Sequence, residues 1–125
     1  MDDIITPAGN YSLSIPDYTK FLQLNLLGIN GNDTLIKSST YKYLHYCNFD
    51  STKPLIGLYS IGWGVYKTPE FQTISVHDGS ADTFYCFTIL YKELNFGMTI
   101  ITNAGESESM KGVKKLKNSI VKYYK

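Results

Sequence analysis

Thr83-Phe84-Tyr85-Cys86-Phe87-Thr88-Ile89-Leu90-Tyr91 and, after Lys92-Glu93-Leu94-Asn95, Phe96-Gly97-Met98-Thr99-Ile100-Ile101-Thr102-Asn103 are the two runs whose reading decides the fold. Both are rich in β-branched and aromatic residues, and both read as strands, over 82–91 and 96–102. Residues 84–90 show almost no polar alternation, which predicts a strand covered on both faces, by helices. A link as short as 92–95 demands antiparallel neighbours. Towards the N-terminus, Asp78-Gly79-Ser80 reads as a turn closing a strand over 71–77. The Gly-rich segment Gly57-Leu58-Tyr59-Ser60-Ile61-Gly62-Trp63-Gly64-Val65 opens a strand over 57–66, joined to the next by Lys67-Thr68-Pro69-Glu70. The expectation is an antiparallel sheet of about four strands with helices packed on it, an α+β fold.

Helical spacing frames this sheet on both sides. Ser14-Ile15-Pro16-Asp17 combines a capping hydroxyl, a first-turn proline and an acid three residues after the cap, which starts a helix running to about Leu27. Tyr18, Phe21, Leu22 and Leu26 form its apolar face, and Gly28 followed by Asn30-Gly31-Asn32-Asp33 supplies the stop and a turn. A short second helix follows Ser38 or Ser39 and ends near Tyr46, with Tyr41, Leu44 and His45 as packing residues. Met110, Val113, Leu116, Ile120 and Tyr124 recur at three or four residues opposite Lys111, Lys114, Lys115 and Lys122, so a last helix turns a solvated lysine face outward. The chain thus reads as one domain: 1–50 helical, 57–103 sheet, 106–125 C-terminal helix.

Composition narrows the function classes. With 43% hydrophobic, 14% aromatic and only 18% charged residues, the 125-residue chain has the makings of one globular core rather than a disordered segment. The formal charge is +1 and every basic residue is Lys, so the bidentate guanidinium contacts that read phosphate or guanine are missing and nucleic acid is not an expected partner. Cys47 and Cys86 have no metal-ligand spacing, and His45 and His77 fall in different parts of the chain, so neither a metal nor another cofactor is expected. Met1-Asp2-Asp3 is acidic and no long apolar stretch follows, which predicts neither a signal peptide nor a membrane span. Either the protein stays where it is made, or the chain is a piece of something longer.

Taken in order, the Gly-rich Trp strand, the His-x-Gly signal His77-Asp78-Gly79 and the two apolar strands ending in Thr102-Asn103 resemble the C-terminal part of the serine β-lactamase and penicillin-binding-protein superfamily, nearest its class C-like esterases and D-Ala-D-Ala carboxypeptidases. Pro7-Ala8-Gly9 and Ser14-Ile15-Pro16-Asp17-Tyr18 match the stretch opening a late helix in many of those proteins. The resemblance implies that the strand with His77 forms one wall of a catalytic cleft. By it, His77 helps hold the substrate carboxylate and tunes proton transfers, Asp78 and Gly79 line the substrate, and the amide N–H of Ser80 is one of two oxyanion donors. Such a donor is worth roughly 3 kcal/mol where measured. The implied parent transfers an acyl group from a small ester, peptide or β-lactam through an acyl-serine. Its Ser-x-x-Lys and Tyr-x-Asn motifs are expected upstream, in parts that this sequence does not contain.

Two local look-alikes do not supply the missing set. Ser39-Thr40-Tyr41-Lys42 has the Ser-x-x-Lys spacing and Tyr46-Cys47-Asn48 the Tyr-x-Asn form, but only three residues separate them, and Ser119-Ile120-Val121-Lys122 repeats the first by chance. A nucleophile must meet its base within about 3 Å in a sheltered cleft, and a short surface helix offers little shelter. The chain alone is therefore expected to be inactive, with the missing N-terminal part, or a second copy meeting it through Phe96–Thr102, as its partner. The alternative is a self-standing, non-catalytic interaction module that keeps the sheet as a binding surface.

Overall fold

A computed structural model describes residues 11–46, 58–69, 72–81, 83–105 and 107–124. Pro7-Ala8-Gly9, Cys47, Asn48 and Gly57 lie outside the described residues. Helix α1 spans Ile15–Ile29, α2 Ser38–Leu44 and α3 Ser107–Tyr124; the strands are β1 Leu58–Tyr59, β2 Gly64–Lys67, β3 Thr73–Ser80, β4 Tyr85–Tyr91 and β5 Phe96–Thr102. The sheet is antiparallel throughout, in the order β1-β2-β3-β4-β5. The fold is α+β, as the sequence predicts.

The start of α1 follows its sequence signal. The Ser14 hydroxyl accepts the Asp17 N–H at 3.2 Å and donates to the Asp17 carboxylate at 2.6 Å, which satisfies one of the free amides of the first turn. The stop lies later than expected. Gly31, at φ +104°, takes the left-handed position, its N–H reaching the Gly28 carbonyl at 3.0 Å while Asn32 N–H reaches Leu27 at 3.0 Å. Gly28 is instead buried inside the helix, and its reason is contact: a Cβ there would stand 1.9 Å from Cδ2 of Tyr41. The missing side chain lets α2 lie directly on α1. Helix α2 begins at Ser38, whose N–H is held by the Asp33 carboxylate at 2.8 Å rather than by a serine cap.

Two boundaries in the sheet also move. The expected strand over 57–66 folds back on itself: Ser60 N–H meets the Trp63 carbonyl at 2.7 Å, with Gly62 at φ +80° in the turn, so β1 and β2 form a hairpin. The Asp78-Gly79-Ser80 segment is not a turn. It continues β3, with His77 opposite Thr88 and Ser80 opposite Tyr85, and the chain reverses only after Ala81. Cross-strand pairing, reinforced by the Tyr85 hydroxyl donating to Asp78 at 3.0 Å, outweighs the turn preference of Asp, Gly and Ser.

The sheet is covered on both sides, as the continuous apolar run of β4 requires. On one face Leu22, Leu26 and Ile29 of α1 and Tyr41 of α2 close over Trp63, Val65 and Leu90. On the other, Ile120 and Val121 of α3 pack with Ile89, Met98, Phe87 and Ile100. Val113 is buried and Tyr124 stacks on Phe96 at 4.8 Å. Leu116, expected in the apolar face of α3, is half exposed, because the face runs through Val113, Ile120, Val121 and Tyr124 and leaves it at the margin. Burying one such aliphatic side chain is worth about 1.5–3 kcal/mol, so each layer contributes several kcal/mol.

Candidate functional site

The residues singled out by sequence lie at the free end of β3. β2 stops at Gly64, opposite Val76, so among the described residues no strand flanks β3 beyond that point on the β2 side. The direction of the backbone groups there follows from the ladder. Thr73 accepts from Lys92 N–H at 3.2 Å and Ala81 donates to the Phe84 carbonyl at 2.9 Å, so the odd residues of β3 bond to β4. The even residues therefore point the other way. Ile74 and Val76 meet β2, whereas the amides and carbonyls of Asp78 and Ser80 face the open side.

Side chains alternate across the same strand. His77 and Gly79 stand on the α1 face with Thr88 and Cys86, their cross-strand partners, and Asp78 stands on the opposite face with its carboxylate on Tyr85. The four residues singled out by sequence are thus split: His77 and Gly79 share a face, the Ser80 amide lies at the adjoining edge, and the Asp78 side chain lies behind the sheet. Burial, and then the Asp78 carboxylate, push the Tyr85 hydroxyl up to about 12, so it stays a proton donor to Asp78.

His77 is exposed and oriented. Its Nδ1–H donates to the Gly62 carbonyl at 2.7 Å, since a carbonyl can only accept, and this leaves Nε2 of the neutral ring as a free lone pair. The ring meets Trp63 edge-on at 6.2 Å. Space around Gly79 is open, with no atom within 4 Å of where a Cβ would sit. Two grooves meet at His77 and Tyr18. One, of about 540 Å³, is walled by Phe21, Leu35, Ile36, Ile61 and Trp63. The other, of about 420 Å³, runs past Gly79 and Ser80 to Phe84 and Ile101.

Beneath them lies a polar row that the sequence reading missed. The Tyr18 hydroxyl bonds Thr88 at 2.9 Å, Thr88 bonds Thr99 at 3.3 Å, and the Cys86 sulfur lies 3.6 Å from the Thr99 hydroxyl. Burial raises the Tyr18 hydroxyl above its ordinary value, so it stays protonated beside Thr88. Strand alternation could have put the hydroxyls of Thr88 and Thr99 on one face, but Tyr18 joins them from a helix seventy positions away, which no local pattern records.

His45 occupies the other side of Trp63, with ring centroids 4.6 Å apart. The Asn25 amide nitrogen donates to Phe21, which turns its oxygen towards His45, so Nε2–H donates to it at 3.0 Å. Nδ1 is then a buried nitrogen without a partner among the described residues, and burial pushes the imidazole down to about 4. This is a neutral packing histidine. Ser39 and Lys42 are exposed on the seven-residue α2, and Ser119 turns its hydroxyl onto the Lys115 carbonyl at 3.2 Å. Among the described residues no group of three or more His, Cys, Asp or Glu is placed to hold a metal ion, and no helix is long and apolar enough to cross a membrane. Compared with known proteins, the chain matches no family model, no curated protein and no solved structure.

Proposed function

We propose that this chain is the C-terminal part of a serine hydrolase related to the β-lactamases and penicillin-binding proteins, and that it supplies one wall of an acyl-transfer cleft. The observation that carries the reading is the Ser80 amide, which faces an open sheet edge beside the uncluttered Gly79 and next to the exposed His77. A carbonyl oxygen brought to that edge would meet a fixed N–H donor as charge develops on it. His77, held through Nδ1 by Gly62, offers Nε2 to the substrate or, when protonated, a positive charge to its carboxylate. The apolar grooves on either side suit the flanks of a small acyl substrate, an ester, peptide or β-lactam. The nucleophilic serine and its lysine belong to a segment upstream, because Ser39 stands exposed on α2 and lines neither of the grooves that meet at His77.

The test has two arms. The isolated chain, mixed with a chromogenic cephalosporin, a p-nitrophenyl ester and a fluorophosphonate probe, is expected to be silent, and Ser39→Ala to change nothing; labelling at Ser39 would overturn this. Joined to an upstream segment of its own reading frame that carries Ser-x-x-Lys and Tyr-x-Asn, the protein is expected to turn over ester, and His77→Ala to lower the rate while stability stays within about 1 kcal/mol. A reading frame without those motifs would favour the second reading, a non-catalytic interaction module, which the edge of β5, unpaired among the described residues, supports.

A further inference from the structure

Among the described residues the last strand of the sheet, β5, pairs with β4 alone, and it carries neither charge nor proline between Phe96 and Thr102. None of the usual protections of an edge lies within it. The ladder fixes which groups are free. Even residues of β4 bond to β3, so its odd residues Tyr85, Phe87, Ile89 and Tyr91 bond to β5, where their partners are Thr102, Ile100, Met98 and Phe96. Gly97, Thr99 and Ile101 are left with their N–H and C=O groups directed away from the sheet.

We propose that two copies of this chain join edge to edge through β5, antiparallel about a two-fold axis at Thr99. In that register Thr99 faces its own counterpart and Gly97 faces Ile101, so every outward N–H of one copy meets an outward C=O of the other. A shift by one residue sets outward groups against inward ones, and a shift by two leaves an end pair unmatched. The side chains agree with the same register. Gly97, Thr99 and Ile101 lie on the α1 face, where Leu26 and Leu90 fill the space directly above Gly97 and a groove of about 420 Å³ lined by Ile15, Thr19, Leu22 and Leu26 runs beside it. Ile101 is 43% exposed, a large apolar side chain at the other end of the same edge. Across the axis, Ile101 of one copy stands against Gly97 of the other and enters that groove, and the exchange occurs twice. The edge is complementary to itself in backbone and side chains, which singles out a second copy rather than an unrelated strand as its occupant. The inference rests on β5 and the α1 groove beside it; it shares Ile101 with the groove at His77, and its readouts, association and amide exchange, do not depend on turnover.

Sedimentation of the chain over a wide concentration range, with amide hydrogen exchange at both ends of it, tests the proposal. Expected are a dimer at the high end and protection at Gly97, Thr99 and Ile101 that rises with concentration, while Met98, Ile100 and Thr102 are protected throughout. Ile101→Lys, at an exposed position, is expected to remain folded by circular dichroism and to be monomeric, and Ile101→Leu to dimerise. A monomer at every concentration, a dimer whose Gly97, Thr99 and Ile101 amides exchange freely, or a dimer indifferent to Ile101→Lys would each overturn it. Should Ile101→Lys fail to fold, the exchange pattern of the unaltered chain decides alone.

Discussion

At the residue scale the two histidines divide by what surrounds them. Both touch Trp63, yet His77 faces outward with a free Nε2 and His45 is 7% exposed with its Nδ1 unpartnered among the described residues. That His45 is a packing residue was legible from its place on a short apolar helix face; that Asn25 orients its ring was not, since the two are twenty positions apart. The consequence is a pH dependence of definite sign. The folded ring titrates at about 4 and an unfolded histidine near 6.5, so between those values the unfolded chain binds more protons. The stability at stake is fully present above about pH 6.5 and is lost as pH falls towards 4, about 3 kcal/mol in all and about 2 kcal/mol by pH 5. Urea unfolding at pH 7 and pH 5 is expected to show that much more loss in the unaltered chain than in His45→Gln, whose amide can still donate to Asn25. Equal losses in the two proteins would mean that the buried ring does not carry the effect. The direction of Asp78 was equally hidden: a turn reading leaves its side chain free, and only the length of β3 fixes it on the Tyr85 side of the sheet.

At the element scale the glycines separate what sequence can tell from what only packing tells. A glycine near the end of an apolar helical run reads as a stop, and Gly28 and Gly31 are both candidates; the left-handed backbone belongs to Gly31, while Gly28 is the contact point of two helices. Likewise the segment 57–66 has the composition of one strand, and the fold-back at Gly62 is visible only once Ser60 and Trp63 are paired. Gly28→Ala and Gly112→Ala make the same chemical change in two helices and should differ in sign. Helix propensity alone favours alanine by about 1 kcal/mol at both. At Gly112, in the interior of α3, nothing lies within 4 Å of the new methyl, so stability is expected to rise by about that amount and the midpoint of unfolding with it. At Gly28 the methyl would collide with the buried Tyr41 ring, an overpacking cost of about 1–3 kcal/mol that reverses the gain. Denaturant midpoints of the two variants decide it, and a stabilised Gly28→Ala would show that α1 and α2 can part at no cost.

At the scale of the whole molecule, one feature of the sequence foretold the layering: the lack of polar alternation over residues 84–90. Ile89 and Leu90 are neighbours in β4 and point to opposite faces, yet each is only 1% exposed, which requires cover on both sides. The two covers are unlike. On the α1 side the layer contains the hydroxyl row of Tyr18, Thr88 and Thr99 and borders the open grooves at His77, whereas on the α3 side Ile89, Met98, Phe87 and Ile100 form an apolar layer. The α3 cover depends on few anchors, Val113, Ile120, Val121 and the stacking of Tyr124 on Phe96. Even so, removing it would uncover a contiguous apolar sheet face and withdraw several kcal/mol of burial from a total that for a domain of this size is about 5–15 kcal/mol. A chain ending at Asn103 is therefore expected to lose cooperative unfolding and to bind a dye that reports exposed apolar surface, while keeping part of its strand signal in circular dichroism. A milder substitution separates this from a general intolerance of truncation. Val113→Ala should cost about 1–2 kcal/mol and Leu116→Ala close to nothing, because the first is buried and the second half in water. If the shortened chain melted sharply at the midpoint of the full one, α3 would be an appendage rather than the second wall of the core.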